Sequence, residues 1–302
     1  MRKDNYIRIY SRIVVILVML SLVIFGCNFF RRADSKIKDL LEGKTKITVE
    51  NDTESLIAPE LTSNYYSQFG SSQPQNKIER YRQMLHEMLN YADSLGLDST
   101  VYHRNYLYKY DSLLKQKDYD SDKYEAESGI ILTDAAVSFL YHAAYGYNLK
   151  QLSYNAICYQ IDSSKLLRVL NNMLTDYDWR KSLDSIEPRF PQYVFLKSNL
   201  IRMNVFLKHH PDVDSSTSKI PDQKNIILKL KAYNLLPDLM SDDSVSESVF
   251  VDALKNFQMM MNLSATGKTN SQTLSALSFP IHKRIREIKE SINCWRWMNR
   301  LN

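Results

Sequence analysis

Cys27, Cys158 and Cys294 are the only thiols in this 302-residue chain, and six histidines are its only imidazoles. A thiol nucleophile needs an imidazole beside it to remove its proton and donors to receive an oxyanion. Neither of the two later cysteines has that setting. Cys158 lies in "NAICYQI" and Cys294 in "SINCWRW". The nearest histidine to Cys294 in sequence, His282, is more than three helical turns away. We read Cys294 as a packed helix residue and assign no catalytic residue.

Metal chemistry is equally unsupported. No C-x-x-C occurs. The adjacent His209 and His210 point in different directions and lack a third ligand. The acidic run "DYDSDKYEAE", Asp118 to Glu127, has no Gly bend of the kind a calcium loop requires. Asp184 and Glu187 are two carboxyl groups with nothing to set them opposite each other, as a glycosidase pair would be. His86 and His142, the latter beside Tyr141 and Tyr145, read as hydrogen-bonded helix residues. Only 7 glycines are present and none forms G-x-G, which argues against a phosphate-cradling loop. No metal and no cofactor is expected.

The elements that hold these residues are mainly helices. Lys77 to Leu95 carries Ile78, Tyr81, Leu85, Met88, Leu89, Ala92 and Leu95 on one face, and Gly96 supplies a left-handed stop. Tyr102, Tyr106 and Tyr110 share the face of a following segment. Thr133 or Asp134 is expected to cap the next helix, whose stripe is Ala135, Ala136, Phe139, Leu140 and Ala143. Further helices fit Ser163–Met173, Trp179–Ile186 and Pro191–Lys208. No strand run of comparable strength appears. Residues 209–221, "HHPDVDSSTSKIP", have the composition of a linker and suggest a boundary near 215.

A smaller helical region follows. Ile226, Ile227, Leu230 and Leu235 form its first apolar set, which Tyr233-Asn234 ends. "SVFVDALKNFQMMMNL" is the next helix, with Phe250, Ala253, Leu254 and Phe257 inward. Gly267 turns the chain and Asn270 or Ser271 caps a third helix. In the closing "FPIHKRIREIKESINCWRWMNRLN", Ile281, Ile285, Ile288, Ile292 and Trp295 mark one apolar helical face behind Pro280.

The amino end has a different character. Ile13 to Phe30 is uncharged and follows Arg2, Lys3, Arg8 and Arg12. Its length is just short of a span, about 27 Å against a hydrocarbon core of about 30 Å. Three readings stay open: an uncleaved anchor, a secretory signal lipidated at Cys27, and a cleaved signal. "IFGC" resembles a lipobox. All three place residues 31–302 on the far side of the cytoplasmic membrane. Residues 31–60 read as a polar tether, with a short helix at 35–41. Without residues 1–30, the net charge falls from +5 to +2, which leaves no broad basic face for nucleic acid. The 20 tyrosines suit either core filling or contact with sugars.

Two stretches resemble known families. "ALKNFQMMMNL", "TGKTN" and "SQTLSAL" resemble the three-helix peptidoglycan-binding-like domain, although Met261-Asn262 replaces a common His-Gly and the usual Asp-Gly is missing. "FPIHKRIREIKESINCWRWM" is similar to the join before the catalytic domain of large scaffold-bearing bacterial L,D-transpeptidases. "YADSLGLDSTVYH", "LTDAAVSFLYHAAYG" and "PQYVFLKSNL" resemble the helical scaffold domain of that family. Its catalytic motif, Ser-His-Gly with a Cys, is not found in this sequence.

The resemblance implies an all-α protein. Residues 1–30 are the anchor or lipoprotein signal, 31–60 the tether, 61–210 the scaffold-like domain and 211–221 the linker. Residues 222–279 are the peptidoglycan-binding-like domain, and 280–302 a helix leading toward a catalytic domain. Peptidoglycan is the expected partner, with Asn256, Gln258, Lys268 and Asn270 as contacts; Gln258 has a second reading, as a cap on neighbouring backbone. Ile285, Ile288, Ile292, Trp295 and Trp297 are expected to dock on a separate catalytic domain. The implied function is wall binding or scaffolding in the cell envelope without transpeptidation by this chain alone. A transpeptidase split from a downstream catalytic domain and an envelope protein-interaction adaptor are the alternatives.

Overall fold

The structure is a computed structural model that describes Ile37 and residues 45–49, 52–70, 78–113, 121–147, 163–176, 178–214 and 222–299. The expected apolar helix at 1–30, Cys27 and Cys158 lie outside them. Among the described residues no helix is long and apolar enough to cross a membrane.

The described chain is mostly helical, as its periodicity implies. It divides into two units. The first holds the described residues up to 90, together with 99–142 and 163–186; the second holds 91–98, 143–147 and 187–299.

The first unit opens with a feature absent from the sequence reading. Within the supposed tether, β1 (Lys46–Val49) pairs antiparallel with β2 (Asp52–Ser55), Lys46 opposite Ser55 and Val49 opposite Asp52. Ile47 is buried while Thr48 is exposed and meets Thr53 across the strands at 3.0 Å, the alternation expected of a half-covered hairpin. Strands of four residues are too short for a period of two to stand out in a polar stretch.

Five helices belong wholly to this unit or nearly so: α1 (Pro59–Phe69), α2 (Ile78–Tyr91), α3 (Arg104–Leu113), α4 (Ser121–Tyr145) and α5 (Ser163–Asp176). The short α6 (Trp179–Ile186) follows. Helix α4 is enclosed on all sides from Gly129 to Leu140, which explains its weak amphipathic signal. Tyrosines fasten to it through their hydroxyls. Tyr81 donates to the Leu132 carbonyl at 3.0 Å, Tyr66 meets Thr133 at 3.0 Å and Tyr106 meets Ser128 at 2.9 Å. These rings are core residues whose polar tips reach the enclosed stretch of α4.

Asp134 corrects the sequence reading most plainly. It does not start a helix; it lies in the interior of α4, fully buried, and caps another one. Its carboxylate accepts from the backbone N–H of Ile57 (2.7 Å) and Ala58 (3.0 Å), from Thr62 Oγ1 (2.8 Å) and from His103 Nε2 (2.8 Å). Ala58, the residue before α1, has no capping side chain of its own. Glu54 Oε2 lies 3.3 Å from the other ring nitrogen of His103, so the hairpin, α1, α3's entry and α4 meet at one polar cluster.

The second unit contains α7 (Pro191–His209), a 3₁₀ turn at Pro211–Asp214, α8 (Gln223–Ala232), α9 (Glu247–Met260), α10 (Ser271–Leu277) and α11 (Ile281–Met298). Leu200, Met203 and Phe206 of α7 share one apolar core with Ile227, Leu230, Leu254, Phe257, Ile281 and Ile292. This core takes side chains from both sides of residue 215. The start of the supposed linker is also structured: Val213 is core and Asp214 is the anchor of α11.

Asp214 accepts from the N–H groups of Ile281 (2.8 Å) and His282 (2.9 Å), from His282 Nδ1 (2.9 Å) and from Lys229 Nζ (2.6 Å). Pro280, at the N-cap of α11, offers no side-chain cap. Lys229 is buried and donates a second bond to the Phe279 carbonyl at 3.2 Å. Burial opposes ionisation of Asp214, but the bonds from Lys229, His282 and Ile281 outweigh it and hold the carboxyl down at about 2.

The two anchors give measurable expectations. Asp134→Ala leaves buried donors unmatched and should cost at least about 3 kcal/mol, a drop in Tm on the order of 10 °C by circular dichroism. Thr62→Val should cost only about 1 kcal/mol. Asp214 has a folded pKa below its ordinary value of 3.8, so its contribution is complete above that value and is lost as pH falls toward about 2. Asp214→Asn should therefore destabilise the chain at pH 7 and flatten the acid limb of a stability-against-pH curve. An acid limb of unchanged steepness would contradict this.

Candidate functional site

Helix α9 ends in a left-handed cap. Leu263 N–H donates to the Gln258 carbonyl (2.7 Å) and Asn262 N–H to that of Met259 (3.0 Å), with Asn262 at φ 55°. This is the Schellman arrangement, and Asn stands where Gly is usual. The same pattern ends α8, with Leu235 N–H to Leu230 (2.9 Å), Asn234 N–H to Lys231 (2.8 Å) and Asn234 at φ 61°. The replacement of His-Gly by Met261-Asn262 thus leaves the helix stop intact.

The loop after α9 is held from inside by Gln258. Its side chain is fully buried, and Oε1 accepts from Gly267 N–H at 2.8 Å. Nε2 donates to the Lys268 carbonyl (2.9 Å) and to Thr273 Oγ1 (2.9 Å), with Thr266 Oγ1 at 3.2 Å. Thr273 passes its own proton on to Asn270 Oδ1 at 2.9 Å, and Asn270 Oδ1 also accepts the Thr273 N–H at 2.9 Å as the N-cap of α10. A carboxamide fits here because the site needs a donor and an acceptor on one planar group. Gly267, at φ 68°, has no room for a side chain, since a Cβ would come within 2.7 Å of Val251 Cγ1.

The four residues expected to contact a ligand therefore differ in role. Gln258 takes its second reading: it shapes the loop and has no surface to offer. Asn270 is exposed, but its side-chain oxygen is used in the cap. Asn256 and the Lys268 side chain are exposed at α9 and at the loop tip.

The apolar face of α11 is not free to dock elsewhere. Ile285, Ile288 and Ile292 are buried in the core of the second unit, and Trp295 packs on Phe190 with ring centroids 5.3 Å apart. Trp297 Nε1 donates to the Tyr147 carbonyl at 3.0 Å. Asn293 clasps the same residue, accepting its N–H and donating to its carbonyl, both at 2.9 Å. Arg296 is wholly buried and donates to the Leu95 carbonyl (2.7 Å) and Tyr193 Oη (3.2 Å). Tyr193 in turn donates to Glu187, which Lys197 meets at 2.5 Å. Sequence periodicity shows that this face must be covered; it does not show that α7 and the 91–98 segment cover it.

Cys294 lies on the exposed side of α11. Partial burial, and then the Glu290 carboxylate, push its thiol up, the opposite of what a nucleophile requires. Among the described residues no cluster of three or more His, Cys, Asp or Glu side chains could hold a metal ion.

A concavity that the sequence did not suggest lies in the same unit. It is an open cleft of about 420 Å³ between the His209–Val213 segment and the first turns of α8, lined among others by Lys224, Asn225 and Leu228.

The Gln258 bracket is testable. Gln258→Leu leaves the Gly267 N–H and the Lys268 carbonyl without partners and should lower stability by about 2–4 kcal/mol. Chemical denaturation should show this, while Lys268→Ala, at an exposed side chain, should stay within about 0.5 kcal/mol.

Residues 72–200 match the family model of the Scaffold domain, and residues 222–277 match that of the peptidoglycan binding domain. No curated protein and no solved structure matches the chain. The second match spans α8 to α10 and the loop that Gln258 holds, so this part of the second unit is similar to a peptidoglycan binding domain, and peptidoglycan is the partner that the match supports.

Proposed function

We propose that this chain is a peptidoglycan-binding scaffold of the cell envelope, related to the non-catalytic part of an L,D-transpeptidase. The observation that carries this is the peptidoglycan binding domain match over 222–277, on a helical frame whose loop is hydrogen-bonded to Gln258 and whose third helix is capped by Asn270. The Scaffold domain match before it is in the order expected of the region preceding a transpeptidase catalytic domain. Asn256, Lys268 and Asn270 are the side chains proposed to meet the wall polymer, with Gln258 holding the loop that carries Lys268 and leads to Asn270. Export, and tethering through residues 13–30 or through lipid on Cys27, would place the module beside its polymer.

The chain performs no acyl transfer by itself in this reading. The raised thiol of Cys294, on an exposed helix face, supports that. Incubation of the purified chain with stem peptides should give neither cross-links nor a Cys294 acyl adduct by mass spectrometry. Incubation with purified sacculi should bring the chain into the pellet. A chain that stays in the supernatant removes wall binding and favours the adaptor alternative.

A further inference from the structure

His103 lies directly before α3 and stands between two carboxylates. Its ring is buried; Nε2 is 2.8 Å from Asp134 Oδ2 and Nδ1 is 3.3 Å from Glu54 Oε2. The residue is left-handed, with φ 52°, which a residue other than glycine keeps where its surroundings over-determine it. One carboxylate belongs to α4 and the other to β2, so this imidazole joins the hairpin to the enclosed helix.

Counting donors fixes where the protons sit. Asp134 Oδ1 accepts from Ala58 N–H and Thr62 Oγ1, and Oδ2 from Ile57 N–H and His103 Nε2. Both lone pairs of each oxygen are in use, so Nε2 supplies the proton of that last bond. A neutral imidazole has one N–H. With it on Nε2, the bare Nδ1 faces the Glu54 carboxylate, acceptor against acceptor. A second proton turns the same contact into a charge-assisted hydrogen bond. Glu54 has no other hydrogen-bond or ion-pair partner among the described residues.

Among the described residues no third charged side chain pairs with this ring. From α1 and the residues before it come only the N–H groups of Ile57 and Ala58 and the Thr62 hydroxyl. Arg104, the next residue, directs its guanidinium to Ser99, Asn90 and the Tyr108 hydroxyl. Lys46, the one charged residue of β1, is exposed and stands opposite Ser55.

We propose that His103 is a proton-operated latch between the β1–β2 hairpin and α4. As an imidazolium it donates to Asp134 and Glu54 together and holds the hairpin down. When Nδ1 loses its proton, the bond to Asp134 stays and the grip on Glu54 is lost. The sign follows from which form the folded contacts favour. They favour the charged ring, so the latch is fully engaged at low pH and released as pH rises through the range where imidazoles titrate, about 5 to 8. The latch goes beyond the wall-binding reading and does not depend on it.

Hydrogen–deuterium exchange of the full chain in detergent decides it, read by mass spectrometry at about pH 5 and about pH 8 and corrected for the intrinsic effect of pH on exchange. The reporters are the hairpin amides, among them Leu56 N–H, which donates to the Thr45 carbonyl at 2.8 Å. Their protection should be about tenfold lower at the higher pH, while that of α9 stays constant. Glu54→Gln supplies the control, because a carboxamide can donate to a bare Nδ1 or accept from a protonated one. The Glu54 side chain is 34% exposed, so this variant keeps the fold, and its hairpin protection should no longer change with pH. Hairpin protection that is equal at both pH values in the unaltered chain overturns the proposal. So does a fall of the same size in Glu54→Gln, or a fall that α9 shares.

Discussion

An α-helix starts with amide groups that nothing inside the helix can satisfy. In this chain two helices whose preceding residues cannot cap them take a carboxylate from far away in the sequence. Asp134 reaches Ile57 and Ala58 across 77 and 76 positions, and Asp214 reaches Ile281 and His282 across 67 and 68. In each case the aspartate also binds a cationic or imidazole partner, so one side chain fixes a helix start and two further segments. The arrangement requires a buried negative charge, and helix amides are suited to receive it because their dipoles point the right way. Remove either carboxylate and a helix start loses its acceptor, with a buried partner, His103 or Lys229, left beside the gap.

The same logic explains the buried lysines. Lys229 and Lys231 are neighbours-but-one on α8 and both are enclosed. Lys229 serves Asp214 and the Phe279 carbonyl, while Lys231 donates to the Met240 carbonyl at 2.5 Å and to Asp242 at 2.9 Å. Arg202 adds a bond to the Ala232 carbonyl at 2.8 Å. Loops that carry few apolar residues are thus fixed by cations reaching out from a helix, with the aliphatic stems of those side chains packed below.

What the sequence revealed and what it hid divide along a physical line. Gly96, Asn234, Gly267 and Asn270 were legible because left-handed stops and caps act between residues a few positions apart. The stripes of α2, α8, α9 and α11 were legible for the same reason. The hairpin at 46–55, the role of Asp134 and the burial of Lys229, Lys231 and Arg296 were not, since each depends on a partner distant in the chain. Helix α4 shows the limit well: the stripe read over Ala135–Ala143 continues a stretch that is buried on every side, and its interior Thr-Asp pair imitates a start signal. At the candidate site, Phe257-Gln258 and the loop were found by resemblance. The use of Gln258 was visible only as one of two alternatives, and the cleft beside Lys224 left no local trace.

The segment similar to a wall-binding module covers 222–277, yet Asp214 and the core residues of α7 lie outside it. Severing the chain at residue 222 would take Leu200, Met203, Phe206 and Val213 out of the shared core and deprive Lys229 of its counter-ion. Sequence similarity and mechanical autonomy therefore have different borders in this protein. A segment cut to the matched borders would keep the loop that Gln258 holds and lose the carboxylate that Lys229 and the start of α11 share.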